Sequence, residues 1–481
     1  MGHAVPLAVV ALYVALLFLV SWWSSRLTRG GRGGLLGYLL AGRQLPFWVA
    51  AALLAGLAVG GASTVGVAER AYAAGFSAGW YNAAWAAGAL VLALGAARRY
   101  RRFEITTLPE LFERHYGVPA RVLGVVGQLV IQLVITSLQY VAGGAILSSL
   151  MPGVLTFHEG MLITAVVFVG ITLIGGFWAA GLTNVINVAV IYTGLLLGAA
   201  LTVGRLGGLS ALARKLPPAH PGFDLLGVGG GLIAAWFLVM ITQAHSTQAV
   251  IQIGFASRDE RHAAGGYLLG ALLILPVGFI SAVIGMAAAV LHPGIVPTEA
   301  LPRVVLDLNP LAAGVILAGL WAADVSTASA LLMGSATLVC TDIVKRFVAP
   351  ELSPAREATV CRLTVAGLSV LTFLLALTVQ GILKVLLIGL TLATAYTLIV
   401  LMTMVWPAAC RRSSATWTLL ATMATLAYWL VTPASWHVLP HPIYLTWLVS
   451  LASFFLVTLL DRRRILSSRG APRSGSAPGG V

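Results

Sequence analysis

Residues 321–347, WAADVSTASALLMGSATLVCTDIVKRF, are mostly apolar, yet they carry two aspartates, three serines and three threonines. Ala323, Ser326 and Thr327 stand at i, i+3 and i+4, so a helix puts them on one face. Three small positions offering a carbonyl and two hydroxyls can hold a hard cation, because such ions take oxygen ligands. Asp324 lies beside them. Of the chain's 15 carboxylates it alone falls near the centre of an apolar run, where a charge must be paired or neutralised. It can assist a cation, bind a cationic group or carry a proton. Hydrogen bonding between helices is the bland alternative.

Other polar groups interrupt apolar runs in the same way. The stretch FWVAAALLAGLAVGGASTVGVAERAY holds Gly56, Gly60, Gly61, Ser63 and Thr64 near its middle. Each glycine lowers helix propensity by about 1 kcal/mol relative to alanine, so this cluster marks a break. Unwound backbone at membrane depth is tolerated only where it is buried in protein or lines a cavity. Close packing through small residues explains the glycines equally well. A second interruption is ITQAHSTQAVIQ, residues 241–252, with His245, Ser246, Thr247 and Gln248. Gln128, Gln132, Thr136 and Gln139 form one helical stripe that should face protein or water. Thr391, Thr394 and Thr397 are read the same way, although threonines can also bond back to their own helix.

These residues need elements to hold them, and composition says which. The chain has 481 residues, 59% hydrophobic and 9% charged, far from the roughly 25% charged of soluble domains. Apolar runs of about 20 residues recur from end to end, as expected of an all-α polytopic membrane protein. About thirteen transmembrane helices are expected, at 4–25, 46–72, 78–97, 119–150, 158–177, 180–204, 227–252, 264–291, 310–340, 359–380, 382–408, 414–432 and 442–460. With the N-terminus outside, 23 of the 29 Lys and Arg residues fall in inside segments. That is the positive-inside pattern, and it puts the C-terminus in the cytoplasm, a bacterial inner (plasma) membrane being the expected location. The net charge of +14 is thereby assigned to membrane lipids and not to nucleic acid.

The first span has no clear cleavage site and reads as a retained helix. Cys340, Cys361 and Cys410 read as separate reduced thiols, neither a disulfide framework nor a metal cluster. No paired carboxylates, HExxH or nucleophile elbow occurs in a plausible setting, so an enzyme is not expected.

Taken in order, LAGRQLPFWVAA (40–51), TLPELFERHYG (107–117), GGFWAAGLTNVIN (175–187), TQAVIQIGFASRDERHAAGG (247–266) and VSTASALLMGSATLVCTDIVKRF (325–347) resemble the sodium/solute symporter family. The resemblance implies the LeuT fold: a 5+5 inverted repeat with one extra N-terminal and two extra C-terminal helices. On this chain that gives an extra helix and basic linker (1–45), a first repeat (46–204) and an external loop (205–226). An inverted second repeat (227–408), two further helices (409–461) and a basic tail (462–481) follow. By the same resemblance, the carbonyls of Gly56, Val59 and Ala323 and the hydroxyls of Ser326 and Thr327 would hold Na+ as the coupling ion, with no organic cofactor. The solute would lie by Gly60, Gly61, Ser63 and Thr64, with Thr247, Gln248 and Gln139 nearby. Some members hold a second sodium with an aspartate where this chain has Asn184, and the neighbouring serine-rich positions are Ser329 and Ala330. One sodium per cycle is therefore expected. Asp324 departs from the family's apolar residue.

The implied function is sodium-coupled import of a small polar solute by alternating access, without an obligate protein partner. Proton coupling through Asp324 is the nearest rival. A transporter-like membrane sensor is a further one, although the short tail offers no output domain.

Overall fold

The computed structural model describes residues 4–30, 35–150, 153–378, 390–433, 435, 437, 439 and 441–464. Among these residues the protein is all helix, with only two isolated β-bridges, Leu45–Ser257 and Arg411–Arg464. The first eight residues of the expected span 382–408 lie outside the described residues, as does the tail from 465.

The principal helices are α1 (Ala4–Gly30), α2 (Phe47–Ala58), α3 (Val65–Ala74), α4 (Trp80–Gly95), α5 (Leu108–Tyr116), α6 (Val118–Leu150) and α7 (Phe157–Leu206). They continue as α8 (Gly230–Ala244), α9 (Gln248–Ala256), α10 (Glu260–Leu291), α11 (Pro310–Leu338), α12 (Pro354–Ala376), α13 (Ala393–Val405), α14 (Ser414–Val431) and α15 (Pro442–Leu460). Among the described residues, eight stretches are long and apolar enough to cross a bilayer. The apolar helices α2, α8 and α13 are shorter.

Local chemistry sets several boundaries. Thr156 and Glu159 form a capping box at the start of α7. Asn309 accepts from the Ala312 N–H at 2.9 Å, with Pro310 at the first position of α11. The 50 residues of α7 are two limbs joined at Gly176, where φ is +60° and an added Cβ would meet the Tyr38 carbonyl at 2.6 Å. Only glycine fits that corner. The two limbs correspond to the expected spans 158–177 and 180–204.

α11 is the most enclosed span, 94% buried over its apolar window, against 22% for α12 and for α15. It packs against α1, α6, α7 and α2. On the other side of the break, α10 runs along both α2 and α3. At Gly266 and Gly270 an added Cβ would lie 2.6 Å from Ala50 and Leu54 of α2, and at Gly285 it would run into the backbone of Ala68 in α3. Such contacts need residues without side chains.

A π-helical turn, Val339–Val348, continues α11. There Cys340 is bonded to Cys361 of α12, with Cα atoms 5.8 Å apart, while Cys410 is free and buried. This corrects the expectation of three separate thiols. The turn between α11 and α12 brings together two cysteines 21 residues apart, a proximity that sequence spacing alone does not show.

Candidate functional site

α2 stops at Ala58 and α3 begins at Val65, so the last carbonyls of α2 lose their helical amide partners. α11 lies against this break. The Ser326 hydroxyl is 2.8 Å from the Gly56 carbonyl oxygen and 2.7 Å from that of Ala323. The Thr327 hydroxyl is 2.9 Å from Gly56 O, 3.2 Å from Leu57 O and 3.0 Å from Ala323 O. Three carbonyls and two hydroxyls thus converge, and the two hydroxyls bring only one hydrogen each. A buried cluster so rich in lone pairs suits a hard cation, and both hydroxyl hydrogens can rotate away to admit one. Leu57 is a member that the sequence did not indicate. Val59 ends the helix and gives its N–H to Ala55 O at 2.8 Å.

Asp324 is fully buried beside this cluster. Its Oδ1 would lie 2.8 Å from a Cβ added at Gly61, with Ala142 of α6 at 2.7 Å. No side chain among the described residues bonds its carboxyl. Asn184, on α7, stands against Gly56, 2.8 Å from where a Cβ would be. It is the end of a chain: Tyr13 of α1 donates to Asn187 Oδ1 (2.6 Å), and Asn187 Nδ2 donates to Asn184 Oδ1 (3.1 Å).

Between the two interrupted helices lies a narrow cavity. Gly60, Gln139, Thr247, Gln243 and Thr327 give it polar walls, and Tyr81 and Trp85 an aromatic one. Ile135, Val250 and Leu331 also line it. Gly60, Gln139 and Thr247 were expected here. Tyr81, Trp85 and Gln243 were not, although Gln243 stands four residues before Thr247 and accepts from its hydroxyl at 3.2 Å.

Gly61, Ser63, Thr64 and Gln248 are outside the cavity lining. Gly61 faces Asp324. Ser63 and Thr64 donate back to the carbonyls of Ala58 (2.5 Å) and Gly60 (3.2 Å), stabilising the break itself. Gln248 points to the charged end of the bundle, accepting from Leu108 N–H (3.0 Å) and donating to Thr106 O (3.1 Å). His245 gives a ring nitrogen contact to Ile241 O at 2.7 Å, and its carbonyl accepts from Tyr100. Both groups tie the second break down.

The charged end is a network. Arg121 pairs with Asp342 at 2.6 Å, and Thr107 donates to the same carboxylate oxygen at 2.9 Å. Arg121 also pairs with Glu113, which takes a second guanidinium from Arg346 at 2.7 Å. Partial burial pushes the Glu113 carboxyl up, but hydrogen bonds from Arg346 and Arg121 outweigh it and hold it below the usual range. Arg102 with Glu260 (2.6 Å) and Lys345 with Glu357 (2.7 Å) extend this face.

Two interrupted helices around a shared cavity, with a hydroxyl-bearing helix beside the first break, define a membrane carrier of the secondary-transporter class. The model of the sodium:solute symporter family matches residues 38–421, and the chain belongs to that family. Sodium/glucose cotransporter 4 of Mus musculus is 27% identical over 435 residues, covering 79% of this chain and 60% of that protein. The chain therefore spans less than two thirds of that relative. The osmoregulated proline transporter OpuE of Bacillus subtilis is 24% identical, covering 76% of this chain and 77% of that one. A substrate-bound, outward-open Na+-coupled sialic acid symporter shares the fold, with a TM-score of 0.80 at 17% identity over 96% of this chain and 98% of that one.

Proposed function

We propose that this chain is a sodium-coupled symporter that imports a small polar organic solute by alternating access. The observation that carries the reading is the meeting of Ser326, Thr327 and Ala323 with the freed carbonyls of Gly56 and Leu57. A cation there ties α11 to α2 at the break, and the same break forms one wall of the solute cavity. Sodium and solute are therefore coupled through Gly56–Gly60, with Thr327 touching both sites. One elementary charge moving inward across 100 mV gains about 2.3 kcal/mol, which drives uptake.

One sodium per cycle is the stoichiometry we assign, since Asn184 brings a neutral amide to the first break. Thirteen crossings in a 5+5 arrangement, with the N-terminus outside, fit the basic network gathered at one end of the bundle.

The test needs no identified solute. Purified protein should unfold at a higher temperature in sodium chloride than in choline chloride, saturably with sodium. An unchanged midpoint across sodium concentrations removes the site. A solute panel screened in both salts then identifies the cargo as the compound that stabilises only with sodium. Proton coupling is the second reading, favoured by Asp324, buried with no side-chain partner among the described residues. Uptake that persists without sodium, under a proton gradient, would establish it.

A further inference from the structure

Gln132 of α6 is fully buried, and neither atom of its amide has a partner among the described residues. On the same stripe Gln139 has an unbonded Oε1 among the described residues, though its Nε2 donates to Ile135 O at 3.2 Å; other nearby amides are bonded. Gln128, one turn nearer the charged end, donates to Ser246 O (2.7 Å) and accepts from Gln248 N–H (2.9 Å). On α9, Gln252 donates to Leu39 O (2.8 Å) and Thr337 Oγ1 (2.9 Å). A buried amide with nothing to bond is destabilising, and most are satisfied.

Its position accounts for it. Ile135, Leu331 and Val250 line the solute cavity, and Gln132 and Gly334 each lie one turn beyond the first two on α6 and α11. Gln132 packs against Gly334, where an added Cβ would collide with its Oε1, and the Ala249 Cβ lies 3.2 Å from the same point. The amide thus sits where α6, α9 and α11 meet, between the apolar cavity floor and the bonded amides that close the charged end.

We propose that Gln132 is an inner binding station on the solute's way out, filled when α9 parts from α6 and α11. An amide offers both a donor and an acceptor, and the groups placed beside it, Gly334 and the Ala249 methyl, carry no side-chain charge. The ligand it fits is an uncharged solute bearing hydroxyl or amide groups, since a bare charge has no partner here. The proposal rests on the symport reading and adds to it a route and a solute class.

The test is a Gln132→Cys variant of the full chain in proteoliposomes, treated with the membrane-impermeant cationic reagent MTSET. Mass spectrometry of the peptide holding position 132 reads the labelling, with the native cysteines left in place. Labelling from the cytoplasmic side in choline, slowed about tenfold in sodium, is the expected result. Equal labelling in both salts upholds the route and counts against sodium coupling. A position unlabelled in both salts overturns the route. Val130→Cys, on the exposed side of α6, is the control that stays unlabelled. Protection by neutral hydroxylated or amide solutes is expected, and protection by carboxylates or ammonium compounds alone overturns the solute class. A second variant, Gln132→Met, should melt no lower than the native chain. A midpoint several degrees lower means that the amide has structural partners, which overturns the proposal.

Discussion

At the level of single residues, the two hydroxyls of α11 make the sharpest claim. Replacing both, Ser326→Ala with Thr327→Ala, removes two of the five oxygens and, among the described residues, the side-chain donors to the Gly56 carbonyl. Sodium-dependent stabilisation should fall at least tenfold in apparent affinity, measured as the sodium concentration giving half the thermal shift. Unfolding in choline should worsen by about 1–3 kcal/mol per carbonyl left unpaired. Asp324 gives a contrasting expectation. Its carboxyl has no side-chain partner among the described residues, so Asp324→Asn preserves shape and should melt at or above the native temperature at neutral pH. A marked loss would reveal a compensating cation. The pH profile of sodium-driven uptake in that variant then tells a transport role from a structural one. Ser326, Thr327 and the glycine run were legible because local spacing determines a helical face and a break. Leu57 was not, since a backbone carbonyl has no signature in its side chain. Tyr81 and Trp85 read as core because an aromatic wall of a cavity and an aromatic packing residue share one composition.

At the level of elements, both interruptions fall where the polar clusters stand, while Gly61, Ser63, Thr64 and Gln248 lie outside the cavity lining. Thr247 faces the cavity, whereas Gln248 reaches α5 at the charged end. The phase of the helix after the break decides between two adjacent polar residues, and that phase is set by tertiary contact. The α5 network carries its own prediction. Arg121→Leu leaves Asp342 buried without its cation and should lose about 3–5 kcal/mol in chemical denaturation. Arg121→Leu with Asp342→Leu should lose much less. Glu113 sets the pH response of this face. Its folded pKa is depressed, so its stabilisation is fully present above the unfolded value near 4.5 and disappears as pH falls through the lowered folded value. Hydrogen exchange of α5 should therefore accelerate below about pH 4.5, and Glu113→Gln should flatten that dependence.

Across the whole molecule, hydropathy made the membrane class and the helical fold readable, because a bilayer leaves a chain few alternatives. The Cys340–Cys361 pairing escaped notice for the opposite reason: it depends on how two helices return past one another. Stoichiometry is the property of the molecule that tests the Asn184 assignment. With no membrane potential, a tenfold inward sodium gradient should be halted by an opposing solute gradient of about tenfold if one ion accompanies each neutral solute. A balance near a hundredfold would mean two ions.

The glycines of α10 have a mechanical meaning. Helices that interlock side chains behave like gears, and moving one past another means lifting a tooth over a ridge. Along Gly266, Gly270 and Gly285 the teeth are absent, so both halves of the broken helix rest on a smooth rail. A single methyl placed on that rail would wedge the helices apart, most of all at Gly285, where it would run into the backbone of Ala68.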